Sequence, residues 1–162
     1  MSFTIYMIIV NTSFWFLLNY SVFLGTPLLP KGIFQKNFFF KEKSFESNLY
    51  KSIRIKKWKD KLPVMNSTLK GLNNELNPAY LDKMISQTYY AEFGHLIIAV
   101  LGFLCIFVNP NEYFLMAFIS AIVNFFIHIP FCLIQRYNRP RLVKVKSRIE
   151  TNSRSLVFGR TT

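Results

Sequence analysis

The sequence predicts an all-α integral membrane protein with three transmembrane helices, and three observations predict it. Residues 3–24 contain no charged side chain, residues 113–134 contain no ionisable groups besides Tyr113, His128 and Cys132, and residues 93–108 are interrupted only by His95. A helix rises about 1.5 Å per residue, so about 20 apolar residues cross a hydrocarbon core of roughly 30 Å. The chain has 162 residues, is 51% hydrophobic, and carries 20 Lys+Arg against 8 Asp+Glu for a net charge of +12. That apolar content excludes a disordered polyelectrolyte. It also argues against a nucleic-acid binder, which would spread such charge over a polar surface. The length fits a single membrane domain covering 1–162.

The first span is expected at about 3–24. It lacks a basic n-region and ends in Phe23-Leu24-Gly25-Thr26-Pro27 without a small-x-small cleavage site, so a retained anchor is expected. The second span, at about 90–108, must recruit Glu92 to reach full length, which draws a carboxylate to the membrane boundary. Asn77-Pro78 is a strong start for the helix that feeds it, an N-cap followed by proline at the first helical position. No proline follows until Pro110, so one helix is expected from 78 to 108. The third span is expected at about 113–134.

Charge sets the orientation. Residues 31–91 hold twelve Lys+Arg and five Asp+Glu, residues 136–162 hold eight and one, and the turn Asn109-Pro110-Asn111-Glu112 has no cation. The positive-inside rule then puts the segment 27–89 and the basic tail 135–162 in the cytoplasm, with the N-terminus outside. The expected location is a cell membrane, crossed several times.

Pro27, Pro30 and Gly32 break the chain after the first span. The aromatic run Phe34 to Phe40 follows, flanked by Lys31, Lys36, Lys41 and Lys43, and the chemistry repeats around Trp58. Interleaved rings and ammonium groups suit a segment that hugs the membrane, with anionic lipid as its partner. An acidic, phosphate-bearing acyl donor would meet the same cations.

Candidate chemistry gathers at one level. Glu92 and His95 share a helix face and can form a pair in which the carboxylate orients an imidazole acting as general base. An interfacial pair facing headgroups is the plainer alternative. Asn124, His128 and Gln135 recur at helical spacing on the third span, where interhelical hydrogen bonding is an equal reading. The short turn makes the second and third spans antiparallel neighbours, bringing Glu92 and His95 level with His128, Gln135 and Arg139. The run Gln135-Arg136-Tyr137-Asn138-Arg139-Pro140-Arg141 is denser than a stop-transfer anchor requires. No metal spacing, Gly-x-Ser-x-Gly elbow or Gly-rich phosphate loop is present in the sequence. Cys105 and Cys132 fall inside predicted spans, so neither a disulfide framework nor an activated nucleophile is expected.

At these residues the chain resembles the glycosyl-4,4'-diaponeurosporenoate acyltransferases, which finish staphyloxanthin-type carotenoids in Gram-positive bacteria. The resemblance rests on Leu24-Gly25-Thr26 with Pro30 and Phe34, on Lys57-Trp58-Lys59-Asp60-Lys61, on Glu92-x-x-His95, and most specifically on Pro130 ahead of Gln135 to Leu142. It departs at His128, where the related pattern has Asn, and so supports His95 more than His128 as base. The resemblance implies transfer of a fatty acyl chain to the glucose primary hydroxyl of a glycosylated C30 carotenoid acid in a bacterial cell membrane. It implies Glu92 and His95 as catalytic residues. Asn124, His128, Gln135, Arg136, Asn138, Arg139, Arg141 and Trp58 would contact substrate or donor. No cofactor is expected beyond a thioester co-substrate, acyl-CoA or an acyl carrier, and other carotenoid-pathway enzymes are expected partners. A non-catalytic membrane subunit or immunity factor, and a small membrane methyltransferase, are the competing readings.

Overall fold

The computed structural model describes residues 3–62 and 77–158; the stretch 63–76 of the basic segment lies outside the described residues, as do both chain ends. Every described element is helical. The α-helices are α1 (Phe3–Gly25), α2 (Lys31–Lys36), α3 (Glu46–Ser52), α4 (Ile55–Trp58), α5 (Pro78–Leu101), α6 (Cys105–Val108) and α7 (Phe114–Phe158). Short 3-10 turns at Thr26–Leu28, Phe38–Phe40, Lys59–Lys61, Gly102–Leu104 and Asn111–Tyr113 join them. Three helical stretches, Ile5–Leu28, Pro78–Val108 and Asn111–Ser153, are long and apolar enough to cross a membrane.

The start expected at Asn77 is present: its side-chain oxygen accepts from the Tyr80 amide at 2.7 Å, and Pro78 is the first helical residue. The helix expected to run to 108 tightens into a 3-10 turn at Gly102–Leu104 before α6 closes it. At the other end, α7 does not stop with the apolar run near 134. It continues through Pro130 and Pro140 to Phe158, 45 residues in all. Each proline removes one backbone donor, and the remaining ladder is long enough to carry the helix past both.

The chain forms two compact units, one of Met1–Ile33 with Tyr90–Leu133 and the other of Phe34–Tyr89 with Ile134–Thr162. In the apolar unit, small residues let helices approach. Cys105, Ala117 and Ala121 are buried together under Phe14, Trp15, Phe103 and Ile106, and the Cys105 thiol donates to the Ala117 carbonyl at 3.3 Å. A Cβ on Gly94 would sit 3.5 Å from Val22, so α1 passes close over α5 there. The Asn11 and Asn109 side chains exchange two amide hydrogen bonds, 2.8 and 3.1 Å, the kind of polar link that fastens helices in lipid. Ile8, Ile9, Phe16, Leu17, Phe126 and Ile127 stay exposed, a surface that acyl chains solvate and water does not.

In the basic unit, Phe34, Phe40 and Tyr89 form an aromatic cluster, with Phe34 and Phe40 in edge contact at 5.3 Å and Phe34 stacked on Tyr89 at 6.2 Å. Arg54 adopts the left-handed conformation (φ 50°) and reverses the chain between α3 and α4. Phe38, Phe39 and Phe45 remain exposed beside Lys41 and Lys43.

Candidate functional site

Two polar constellations stand out, one in each unit. The first lies where α5 and α7 run side by side. Their contacts descend one helix as they climb the other: Asn124 Nδ2 donates to the Ile98 carbonyl at 3.0 Å, His95 meets His128, and the Cys132 thiol reaches the Glu92 carbonyl at 3.6 Å. This is the antiparallel pairing that the short Asn109–Glu112 connection requires.

His95 and His128 face each other through their Nδ1 atoms at 2.9 Å. Phe131 stacks on the His95 ring at 4.8 Å and fixes its plane. Two neutral imidazoles can share such a contact in only one way, with one Nδ1–H donating to the other's Nδ1 lone pair. The donor ring then carries its free lone pair on Nε2, and the acceptor ring carries its proton there. The pair therefore presents one basic nitrogen and one N–H. Glu92 sits three residues before His95 on the same helix and is buried to 2% exposure. A carboxylate in that position is costly to desolvate and by default points to function.

The second constellation is built around the arginines of 135–141. Arg136 Nε donates to Glu46 Oε1 at 2.7 Å, and its Nη2 donates to the carbonyls of Phe39 and Lys41. Tyr50 Oη donates to the other Glu46 oxygen at 2.9 Å. Arg139, at 5% exposure, donates from Nε to Thr88 Oγ1 at 3.0 Å, from Nη1 to the Phe40 carbonyl at 3.0 Å and from Nη2 to the Thr88 carbonyl at 3.2 Å. Its guanidinium also lies 3.8 Å from the Tyr89 ring centroid. Lost hydration and the neighbouring Arg136 guanidinium hold the Lys43 ammonium below the usual lysine value. Arg141 is exposed and stacks on the Tyr137 ring at 3.6 Å.

The family pattern of the glycosyl-4,4'-diaponeurosporenoate acyltransferases matches residues 35–148, well over half of the chain. The chain belongs to this acyltransferase family. The enzymes of that name from Staphylococcus aureus strains bovine RF122 / ET3-1 and USA300 are each 27% identical to it over 141 residues, covering 82% of this chain and 83% of theirs. No solved structure matches. The matched stretch takes in Glu92, His95, His128 and the whole of 135–141, and the resemblance read from the residues is borne out.

Within the acyltransferase, the expected site residues take up distinct places. His95 and His128 are in contact, and Glu92 lies on the His95 side of the same helix pair. Asn124 ties α7 to the α5 backbone. Arg136 and Arg139 hold backbone carbonyls of 39–41 and of Thr88. Trp58 Nε1 donates to the Ile53 carbonyl at 2.9 Å, securing the α3–α4 turn. Gln135 and Asn138 are half-buried. Glu46, Tyr50 and Thr88 were not expected at the site; the signal for Glu46 was its being one of only five acidic residues in a strongly basic stretch. Among the described residues no cluster of three His, Cys, Asp or Glu side chains could hold a metal ion.

Proposed function

We propose that this acyltransferase esterifies the glucose primary hydroxyl of a glycosylated C30 carotenoid acid with a fatty acyl chain taken from a thioester donor. The family supports the acceptor and the reaction class. The observation that carries the chemistry is the His95–His128 contact at 2.9 Å between α5 and α7.

In this reading His95 donates its Nδ1 proton to His128, which leaves His95 Nε2 as the base. Nε2 takes the proton of the sugar hydroxyl as the oxygen attacks the thioester carbonyl. The tetrahedral intermediate collapses, the C–S bond breaks, and the thiolate leaves with the proton carried by the imidazolium. Glu92 supplies the negative charge that favours the imidazolium between those steps. No acyl-enzyme is invoked: Cys132 donates its S–H to the Glu92 carbonyl, an acceptor that does not favour a thiolate.

The polyene would lie among acyl chains with its sugar at the headgroup level. The charge distribution supports cytoplasmic placement of the basic segment and the α7 end, with the N-terminus outside. The bacterial cell membrane is the setting this implies. Among the basic residues, Arg141 is the cation we assign to the donor's phosphates. The test is the pigment profile of the host carrying His95→Ala: the unesterified glycoside should accumulate with protein level unchanged. Normal ester formation would remove His95 from the mechanism.

A further inference from the structure

Tyr137 is buried to 5% exposure, yet among the described residues its hydroxyl has no hydrogen-bond partner. Buried polar atoms almost always find one, and an orphan calls for a reason. The carboxylate of the same network, Glu46, is engaged by other donors. Glu46 accepts from Tyr50 Oη at 2.9 Å through one oxygen and from Arg136 Nε at 2.7 Å through the other, although the Tyr50 and Tyr137 rings are in edge contact at 5.2 Å.

A second group against Tyr137 is a cation. Arg141 Cζ stands 3.6 Å from the ring centroid. Stacking engages the flat face of a guanidinium and leaves its N–H bonds unspent. Among the described residues the Arg141 guanidinium makes neither a hydrogen bond nor an ion pair. Arg136 and Arg139, by contrast, are committed to Glu46, Thr88 and carbonyls of 39–41. The block 135–141 thus sorts its cations into two that hold the fold and one that is free beside an unsatisfied phenol.

A partnerless phenolic O–H on a ring covered by an unspent guanidinium is a set of donors without an acceptor. The ligand that satisfies both at once is an oxyanion with several oxygens, and arginine's planar fork favours phosphate. We propose that Tyr137 and Arg141 form a subsite for a phosphate-bearing ligand, with the phosphate of the thioester acyl donor as its occupant. A phospholipid headgroup offers the same group. Assignment to the donor rests on the acyl-transfer reading; phosphate recognition does not.

The test uses the full chain in a maltoside detergent, which contains no phosphate, and follows the melting temperature as coenzyme A or phosphatidylglycerol is added. Tyr137→Phe removes only the partnerless oxygen, so the unliganded protein should melt no lower than the wild type does. Wild type should be stabilised by a phosphate ligand, and Tyr137→Phe and Arg141→Gln should each need roughly tenfold more ligand for half the shift. A response to coenzyme A assigns the subsite to the donor, and one to phosphatidylglycerol alone assigns it to a headgroup. Stabilisation absent with both ligands, or full stabilisation retained by Tyr137→Phe, overturns the subsite. A wild type that binds coenzyme A but forms no carotenoid ester overturns the acyl-transfer reading and leaves the subsite standing. One that forms ester while Tyr137→Phe binds normally overturns the subsite alone. If Arg141→Gln melts early, Arg141→Lys replaces it, since it keeps the charge and loses the fork.

Discussion

The Nδ1 atoms of His95 and His128 lie 2.9 Å apart, so the tautomer of either ring dictates that of the other. Only one of the two can offer a basic Nε2, and His128 need only accept a hydrogen bond for His95 to be that one. Asparagine at 128 retains such an acceptor. His95→Asn should therefore lower turnover by roughly a hundredfold to ten-thousandfold, the usual contribution of a general base. His128→Asn should lose about tenfold or less, and His128→Leu distinctly more, because an apolar side chain leaves the tautomer unset. Turnover of the purified variants on the glycosylated carotenoid checks the order. Equal losses for His95→Asn and His128→Asn would mean that the rings share the work.

Gly102 and Gly94 occupy the same helical stretch but should respond oppositely to a methyl group. A Cβ on Gly102 would collide with the Asn124 amide and come within 3.2 Å of Trp15. Asn124 would have to give up its 3.0 Å bond to the Ile98 carbonyl. Gly102→Ala should cost about 1–3 kcal/mol, the range for overpacking. At Gly94 the nearest atoms, Val22 and Thr26, are 3.5 and 3.6 Å from the added carbon, an ordinary contact. Gly94→Ala should stay within about 1 kcal/mol of wild type, helped by alanine's better helix propensity. Thermal melts in detergent would show whether the two separate.

The Asn11–Asn109 amide pair links α1 to the loop after α6 through bonds of 2.8 and 3.1 Å. Hydrogen bonds between membrane helices are worth less than their burial suggests, because separated helices find other partners. The coupling energy from a double-mutant cycle of Asn11→Ala and Asn109→Ala should be about 0.6 kcal/mol and not above about 2 kcal/mol. A cycle that closes at zero would show that α1 is held by packing alone.

What could be read in advance follows from how each signal is encoded. Three apolar runs and the Asn77-Pro78 start depend on length and local chemistry, and both are written along the chain. The level meeting of His95 and His128 was also legible, since a short turn between long helices leaves only one register. That His95 would meet His128 directly was not, because Glu92 at helical spacing offered an equally simple partner. The placing of Arg136 and Arg139 was invisible for a different reason. Their acceptors are main-chain carbonyls of 39–41 and Thr88, and every residue has a carbonyl. Only the fold decides which ones are left without a donor. The 3-10 turn of Phe38–Phe40 is such a place, and Asn37, whose side chain caps the Phe39 amide at 2.8 Å, was its one local sign.

Arg139 should prove to be among the least replaceable side chains of the basic unit. It is buried, its three nitrogens each hold an oxygen at 3.0–3.2 Å, and Tyr89 stacks on it. Lysine can supply the charge but cannot reach Thr88 and Phe40 together. Removing the guanidinium strands buried acceptors at about 1–3 kcal/mol each, so Arg139→Lys should destabilise by about 2–4 kcal/mol. Glu46→Gln should cost somewhat less, about 1–3 kcal/mol, since it leaves the partly buried Arg136 charge without its counter-ion. Lys146 offers the control. Its pair with Asp82 is short at 2.7 Å, but Asp82 is 57% exposed, and exposed pairs contribute about 0–1 kcal/mol. Lys146→Ala should therefore melt near the wild type while Arg139→Lys does not. If Arg139→Lys were as stable as Lys146→Ala, the arginine would not be holding the 38–40 turn.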